Sequence, residues 1–248
     1  DTRNLLPFLW ARLGVSVIGC LVAVGFLQRN TGIKVATPTM LASLREASPF
    51  AASLVFSLIY ERADVAIIGQ FLGTEQAGLY GPAAVIVTTL FLIPASAYAV
   101  MVPVFTRAYT LRAAEFAASL RLFVAINTVL GLFLTLTLGR AADRIIYWLY
   151  GDKYGEAGAI LAILALVLGL RCITFALGAA VVGAGLPRRL RAQAVAALLN
   201  VVLNLAIVGV WGIRGVAWVY VFTEFALLVG YWRVLAPFVS HRSPGAAQ

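Results

Sequence analysis

"IYERADVAIIG", Ile59 to Gly69, places Glu61, Arg62 and Asp64 inside a stretch that otherwise reads as hydrocarbon. The apolar run before the charges, Ala51 to Tyr60, is ten residues long, and the run after them, Val65 to Leu72, is eight. Neither crosses a bilayer alone, because a crossing takes about 20 predominantly apolar residues. A lipid-exposed loop does not occur at that depth either. The three charges therefore belong near the middle of one membrane helix. Ser53, Ser57, Glu61 and Asp64 recur at helical spacing and form a polar stripe on one face. A charge at the bilayer centre costs several kcal/mol, so the stripe faces the bundle interior or a watery cavity. Arg62 points to another side and needs a partner on another helix.

Composition extends this reading to the whole chain. Of 248 residues, 62% are hydrophobic and 12% charged. A soluble domain carries roughly twice that charged fraction, and the mean hydropathy is strongly positive. The chain is predicted to be an integral membrane protein. Its net charge of +9 fits basic cytoplasmic loops. No basic run interleaves with aromatics on a polar face, so no nucleic-acid partner is expected. Cys20 and Cys172 lie far apart in apolar stretches and read as small buried hydrophobes. His241, in a polar tail, is the one histidine. It leaves most His-dependent metal and acid–base chemistry without raw material, and no metal or cofactor is expected. The chain starts at Asp1 and reads as a piece of a longer protein.

Seven spans are expected: Arg12 to Leu27, Pro49 to Leu72, Leu79 to Phe105, Phe116 to Gly139, Ala157 to Gly185, Ala192 to Val210 and Gly215 to Phe238. A short turn, Gly73 to Gly78, and a longer loop, Arg140 to Glu156, separate some of them. Pro82 and Pro94 should bend the third span, which closes at Pro103. The fold class is an all-α polytopic bundle, divided into a leading helix (1–28), a polar connection (29–48), a six-helix lobe (49–238) and a disordered tail (239–248). Arg29, Lys34, Arg45, Arg107, Arg112, Arg188, Arg189, Arg191 and Arg242 fall on one side, with Arg121 and Arg233 at helix ends there. Arg3, Arg12, Arg140, Arg144, Lys153 and Arg214 fall on the other. The more basic side should be cytoplasmic, which puts the C-terminus and the connection inside.

Two further spans carry charges at mid-depth, Arg171 and Glu224. Intramembrane ionisable groups are functional candidates by default. The competing structural reading is an internal salt bridge that fixes packing, Arg62 or Arg171 with Glu224. Asn200 and Asn204, at i and i+4, read as interhelical hydrogen-bonding groups, as does Asn127. Gly178, Gly183 and Gly185 would permit close helix packing.

The order of these features resembles a known family. "ERADVAIIGQFLGTEQAGLYGPAAVI", Glu61 to Ile86, is similar to a segment of the polysaccharide flippases, where an Asp in a helix precedes an "IIG"-like patch and a G-x-Y-x-x-A after an outer turn. "LIPASAYAVMVPVFTR", Leu92 to Arg107, resembles the proline-bearing helix that ends at the cytoplasmic face. "LYGDKYGEAGAILAIL", Leu149 to Leu164, resembles the entry to the next helix. "NVVLNLAIVGVWGIRGVAWVYVFTE", Asn200 to Glu224, resembles the closing helix pair, with Val216 where an alanine is usual. The resemblance runs from about Gly32 to Pro237. It is to the lipid-linked oligosaccharide flippases of the multidrug/oligosaccharidyl-lipid/polysaccharide exporter superfamily.

That resemblance implies a second six-helix lobe plus the helix before it, with the first lobe missing. It implies a transporter, not an enzyme, that moves a polyprenyl-diphosphate-linked oligosaccharide across the bacterial cytoplasmic membrane by alternating access. Arg171, Arg62 and Arg121 become candidates for the anionic substrate, because a planar guanidinium pairs bidentately with phosphate. Asp64, Glu61 and Glu224, with Ser57, become candidates for lining the cavity or binding a coupling proton or sodium ion. The alternatives are a cation-coupled drug or metabolite antiporter, or a peptidoglycan-precursor flippase, of the same superfamily. A membrane enzyme that processes glycans is a further rival. Its carboxylates, however, would be Asp143, Asp152 and Glu156, spread over a loop and balanced by Arg140, Arg144 and Lys153, as on a solvated face.

Overall fold

The computed structural model describes residues 5–31, 37–111, 113–184 and 186–240. Expectations on residues 32–36 of the connection and on the tail beyond residue 240 lie outside the described residues. So do those on Arg3, Lys34, Arg112, Gly185, His241 and Arg242. The described chain is helical almost throughout: α1 (Leu5–Thr31), α2 (Thr37–Phe71), α3 (Gly73–Leu90), α4 (Leu92–Leu111), α5 (Ala113–Tyr150), α6 (Gly155–Ala184) and α7 (Leu186–Ser240). A single 3-10 turn, Asp152–Tyr154, precedes α6. Two compact units are distinguished, Asp1–Ser48 and Pro49–Gln248.

In the first unit, α1 exposes its side chains from Trp10 to Phe26. Cys20 is exposed with them, against the expectation of a buried residue, while Cys172 is buried. A lone apolar helix has lipid as its natural neighbour, so a small apolar residue on it need not be buried in protein.

In the second unit the chain reverses at glycines. Gly73, Gly151 and Gly212 have positive φ (88°, 81° and 56°), a conformation that glycine adopts without a Cβ clash. Helices pair antiparallel about each. Around Gly73, Tyr80 meets Asp64 and Ala77 meets Gly69. Around Gly151, Ala165 meets Thr135 and Gly158 meets Asp143. Around Gly212, Ile207 meets Gly215, Asn200 meets Thr223 and Ala192 meets Gly230. The 55 residues of α7 are thus two arms, 186–211 and 213–240. Helices α3 and α4 run on without reversal, since Phe91 N–H reaches Val87 O at 3.1 Å and Ala95 N–H reaches Phe91 O at 3.0 Å. The result is three helical hairpins with their glycine tips on one side.

Among the described residues, four stretches are long and apolar enough to cross a membrane: Gly73–Ala108, Glu115–Tyr150, Asp152–Val182 and Arg188–Pro237. The last, 50 residues long, bends back at Gly212 and crosses twice. The apolar stretch of α1, Trp10–Phe26, is shorter, and α2 carries Glu61, Arg62 and Asp64 within its apolar half. The protein is an all-α polytopic membrane bundle.

Several expected boundaries move, for one physical reason: polarity ends a span but not a helix. Residues 73–78, expected as a turn, already belong to α3, because Gly73 alone makes the reversal. Arg140 to Tyr150, expected as loop, continues α5. Its Ala142 and Ile146 stay buried, and nothing breaks the helix before Gly151. Helix α5, at 38 residues, reaches about 57 Å, well beyond the roughly 30 Å hydrocarbon layer. Helix α2 starts at Thr37, twelve residues before the expected span at Pro49, with Pro38 in its first turn, where a missing N–H costs nothing. The third span divides at Phe91 because Pro94 cannot donate to the Leu90 carbonyl. Beyond Pro103, α4 continues to Leu111.

Helix α6 is the hub, packed on α3, α4, α5 and α7 and buried along most of its length. Its seam with α5 is built on small residues: a Cβ on Gly131 would lie 2.6 Å from the Gly169 carbonyl oxygen. Thr135 closes the seam by donating to Ala165 O at 3.0 Å. Such close backbone approach is how helices associate where no hydrophobic effect drives them. Gly131→Ala should therefore lower stability by about 1–3 kcal/mol, read as a fall in the midpoint of thermal unfolding in detergent. Gly209→Ala, whose Cβ would meet nothing within 4 Å, should cause no fall.

Candidate functional site

The polar stripe of α2 meets a partner at every step. Ser53 donates to Gln193 Oε1 at 2.6 Å, and Gln193 Nε2 donates to Ser57 at 3.1 Å. Asp64 accepts from Asn204 Nδ2 at 2.7 Å and from the Tyr80 hydroxyl at 3.2 Å. Gln193 and Asn204 both lie on the first arm of α7, eleven residues apart like Ser53 and Asp64. The two helices therefore run parallel and in register, and the stripe is zipped to the arm over about 16 Å.

Arg171, at the middle of α6, is 5% exposed. Its Nη2 donates to the Tyr220 hydroxyl at 2.8 Å and lies 3.7 Å from Glu61 Oε1. Its Nε lies 3.5 Å from Glu224 Oε2. Aromatic faces complete the surroundings: Phe91 at 4.6 Å, Tyr60 at 5.4 Å and Phe175 at 5.7 Å from the guanidinium carbon to the ring centroid. Cation–π contacts gain strength when desolvated, up to about 2 kcal/mol. The Tyr60 hydroxyl donates to Glu224 Oε2 at 3.0 Å and is approached by Thr223 Oγ1 at 3.3 Å. Asn200 Nδ2 reaches Thr223 at 3.4 Å, and Asn204 reaches Asn200 at 3.1 Å. One polar network thus runs through the lobe from Glu61 and Arg171 to Asp64.

The expected site residues separate into two groups. Arg171, Glu61, Glu224 and Asp64 come together in this network, and Ser57, bonded to Gln193, lines the cleft beside it. Arg62 and Arg121 do not: both are exposed, and Arg62 makes no ion pair among the described residues. Helix α2 has one side turned outward, and Arg62 occupies it. Of the structural expectations, the Arg171–Glu224 pair is present, and Asn200 and Asn204 bond between helices. Asn127 instead donates to Phe123 O on its own helix, at 2.9 Å. A Cβ on Gly178 would lie 3.2 Å from the Tyr231 ring, so this glycine permits close packing.

A partly open cleft of ≈ 490 Å³ reaches Arg171. Glu61, Ser57 and Gln193 line it, and so do Tyr98 and Arg189, which belongs to the basic turn. The Arg189 guanidinium donates to the Tyr98 hydroxyl and lies 5.3 Å from that ring's centroid. The Nε atoms of both Arg171 and Arg189 are buried with no hydrogen-bond partner. One cleft therefore holds two guanidiniums, that of Arg171 with its Nε toward Glu224 and that of Arg189 beside Tyr98.

Sequence reasoning missed the tyrosines and Arg189. Tyr220 precedes Glu224, and Tyr60 precedes Asp64, by four residues, a spacing that puts each pair on one helix face and was a readable signal. Nothing in "LPRRLR" marks the second of its three arginines as the one that turns inward.

Glu224 is fully buried, so Glu224→Gln leaves Arg171 with its more exposed partner alone. Stability should fall by about 3–5 kcal/mol. Combining it with Arg171→Met should restore most of the loss, because the uncompensated charge goes too. A double-mutant cycle of thermal unfolding in detergent reads both outcomes.

No curated protein and no solved structure matches the chain. The family model described as polysaccharide biosynthesis protein matches residues 3–178. That match covers the leading helix, the charged stripe of α2 and Arg171 itself, and the chain belongs to the polysaccharide biosynthesis protein family.

Proposed function

We propose that the intact protein carries a lipid-linked oligosaccharide, joined to its polyprenyl anchor through a diphosphate, from the cytoplasmic to the outer leaflet of a bacterial cytoplasmic membrane. The observation that carries this reading is the pair of arginines, Arg171 and Arg189, lining one cleft. Guanidinium groups of this kind suit phosphate oxygens. Membership in a polysaccharide biosynthesis family supplies the glycan. The work is binding and release, so the protein acts as a transporter, not as an enzyme. A second lobe, outside this chain, forms the opposite wall of the pathway. The basic turn at Arg188–Arg191 and the C-terminus face the cytoplasm, following the bias of basic residues.

Coupling falls to Asp64. Glu61 and Glu224 are engaged by Arg171. Asp64, 2% exposed, accepts hydrogen bonds from neutral groups and has no cationic partner among the described residues. A buried carboxylate without a counter-charge takes up a proton or a sodium ion. Alternating access then follows if that uptake changes how α2 is held against α7.

In cells lacking their own flippase, the full-length protein should restore surface glycan. Arg171→Ala should abolish restoration at matched expression, and Arg171→Lys, which keeps the charge but loses the planar fork, should restore it in part. A wild type that fails on several lipid-linked glycans yet lowers drug accumulation would move the assignment to an antiporter. Flipping in proteoliposomes should accelerate under a proton or sodium gradient. Asp64→Asn, whose Oδ1 can still accept from Asn204 while its Nδ2 donates to the Tyr80 hydroxyl, should remain folded and lose that acceleration.

A further inference from the structure

The two arms of α7 enclose a second concavity, an open groove of ≈ 750 Å³. Ala192, Val195 and Ala196 line it from the first arm, and Ala226, Gly230 and Val234 from the second. Both sets recur at helical spacing, so the groove follows the seam of the hairpin. Its floor is made of residues with little or no side chain. A Cβ on Gly230 would lie 3.4 Å from that of Ala192, so the two arms pack closely there, with Val195 and Val234 also lining the groove. Arg188 and Arg191, both exposed, line the groove at the end where the basic turn enters the helix. At i and i+3 they share a face. Among the described residues, no acidic one lines the groove.

A narrow apolar furrow about 12 Å long, with two exposed guanidiniums at one end, has the charge and shape of one kind of membrane component. We propose that this groove binds an anionic phospholipid of the leaflet that faces the basic turn, with its phosphate at Arg188 and Arg191 and one acyl chain along Ala192, Ala226 and Gly230. Basic pockets between membrane helices recognise anionic head groups through the arginine–phosphate contact, and a zwitterionic head group cancels that attraction with its own cation. The groove shares only Ala196 with the cleft that holds Arg171, and the proposal does not depend on what that cleft carries. It makes the α7 hairpin, the element zipped to α2, responsive to the charge of the leaflet.

The test is native mass spectrometry of the full-length protein in neutral detergent, titrated with phosphatidylglycerol and with phosphatidylcholine of the same chains. Phosphatidylglycerol should bind in preference. Replacing both Arg188 and Arg191 by Gln should weaken that binding on the order of tenfold and remove the preference. Ala226→Leu, which fills the furrow and keeps both arginines, should weaken binding without removing the residual preference for the anionic head group. Equal binding of the two lipids by the wild type, or undiminished binding by the double arginine variant, overturns the proposal. A polyprenyl phosphate that displaces phosphatidylglycerol at lower concentration also overturns it, and makes the groove an entry point for the transported lipid.

Discussion

Placing a guanidinium halfway along a membrane helix leaves a protein few options. Arg171 cannot face lipid, and α6 has no polar surface of its own to shelter it. Its shelter is built from three other helical segments: α2 brings Tyr60 and Glu61, the second arm of α7 brings Tyr220 and Glu224, and the α3–α4 junction brings Phe91. Each contributes a charge, a hydroxyl or a ring face. Removing the arginine would free those elements, and removing a carboxylate would strand the arginine. The position of α6 as the hub and the presence of charges on α2 are therefore one constraint seen from two sides.

The same constraint explains why the chain reverses so tightly. Polar groups on α2 must meet polar groups on α7 at matching depth, so the two have to run in register over their shared length. Hairpins closed by single glycines at 73 and 212 fix where each helix starts its return. A longer loop would let the register slide, and each slip would move a hydrogen-bonding group out of reach of its partner. The small-residue seam of α5 and α6 plays the matching role on the other flank, where Gly131 and Gly169 hold backbones too close for any sliding.

Much of this was legible in the sequence. The all-α membrane class followed from composition, and the inward face of α2 followed from the spacing of Ser53, Ser57, Glu61 and Asp64. Arg171 and Glu224 stood out because charges at mid-span are rare. What was not legible depends on partners distant in sequence. That Arg62 would turn outward while its neighbour Glu61 turned inward could be read as a direction, but not what either would meet. Asn127 looked like Asn200 and Asn204 and proved to bond its own helix, because a single asparagine carries no information about whether a neighbour offers an acceptor. Helix ends were misjudged at residues 37, 73 and 140–150, since hydropathy reports where lipid stops and backbone hydrogen bonding continues past that point.

The two carboxylates on Arg171 are not equivalent, and the difference bears on how the site would work. Glu224 is fully buried and also accepts from Tyr60, whereas the Glu61 side chain is 30% exposed and sits at the longer distance, 3.7 Å against 3.5 Å. An anion entering the cleft competes for the guanidinium with Glu61 first, because Glu61 can be rehydrated and Glu224 cannot. Glu224 then remains as the anchor that keeps Arg171 in place when the cleft empties. Release of Glu61 acts on α2, the helix that also holds Asp64 three residues further on. In the transporter proposed above, substrate binding and ion uptake would be linked mechanically: both would alter what holds α2 to its neighbours, one at Arg171 and the other at Asn204 and Tyr80. Coupling of this form requires no contact between substrate and ion, only a shared helix whose attachment each can loosen.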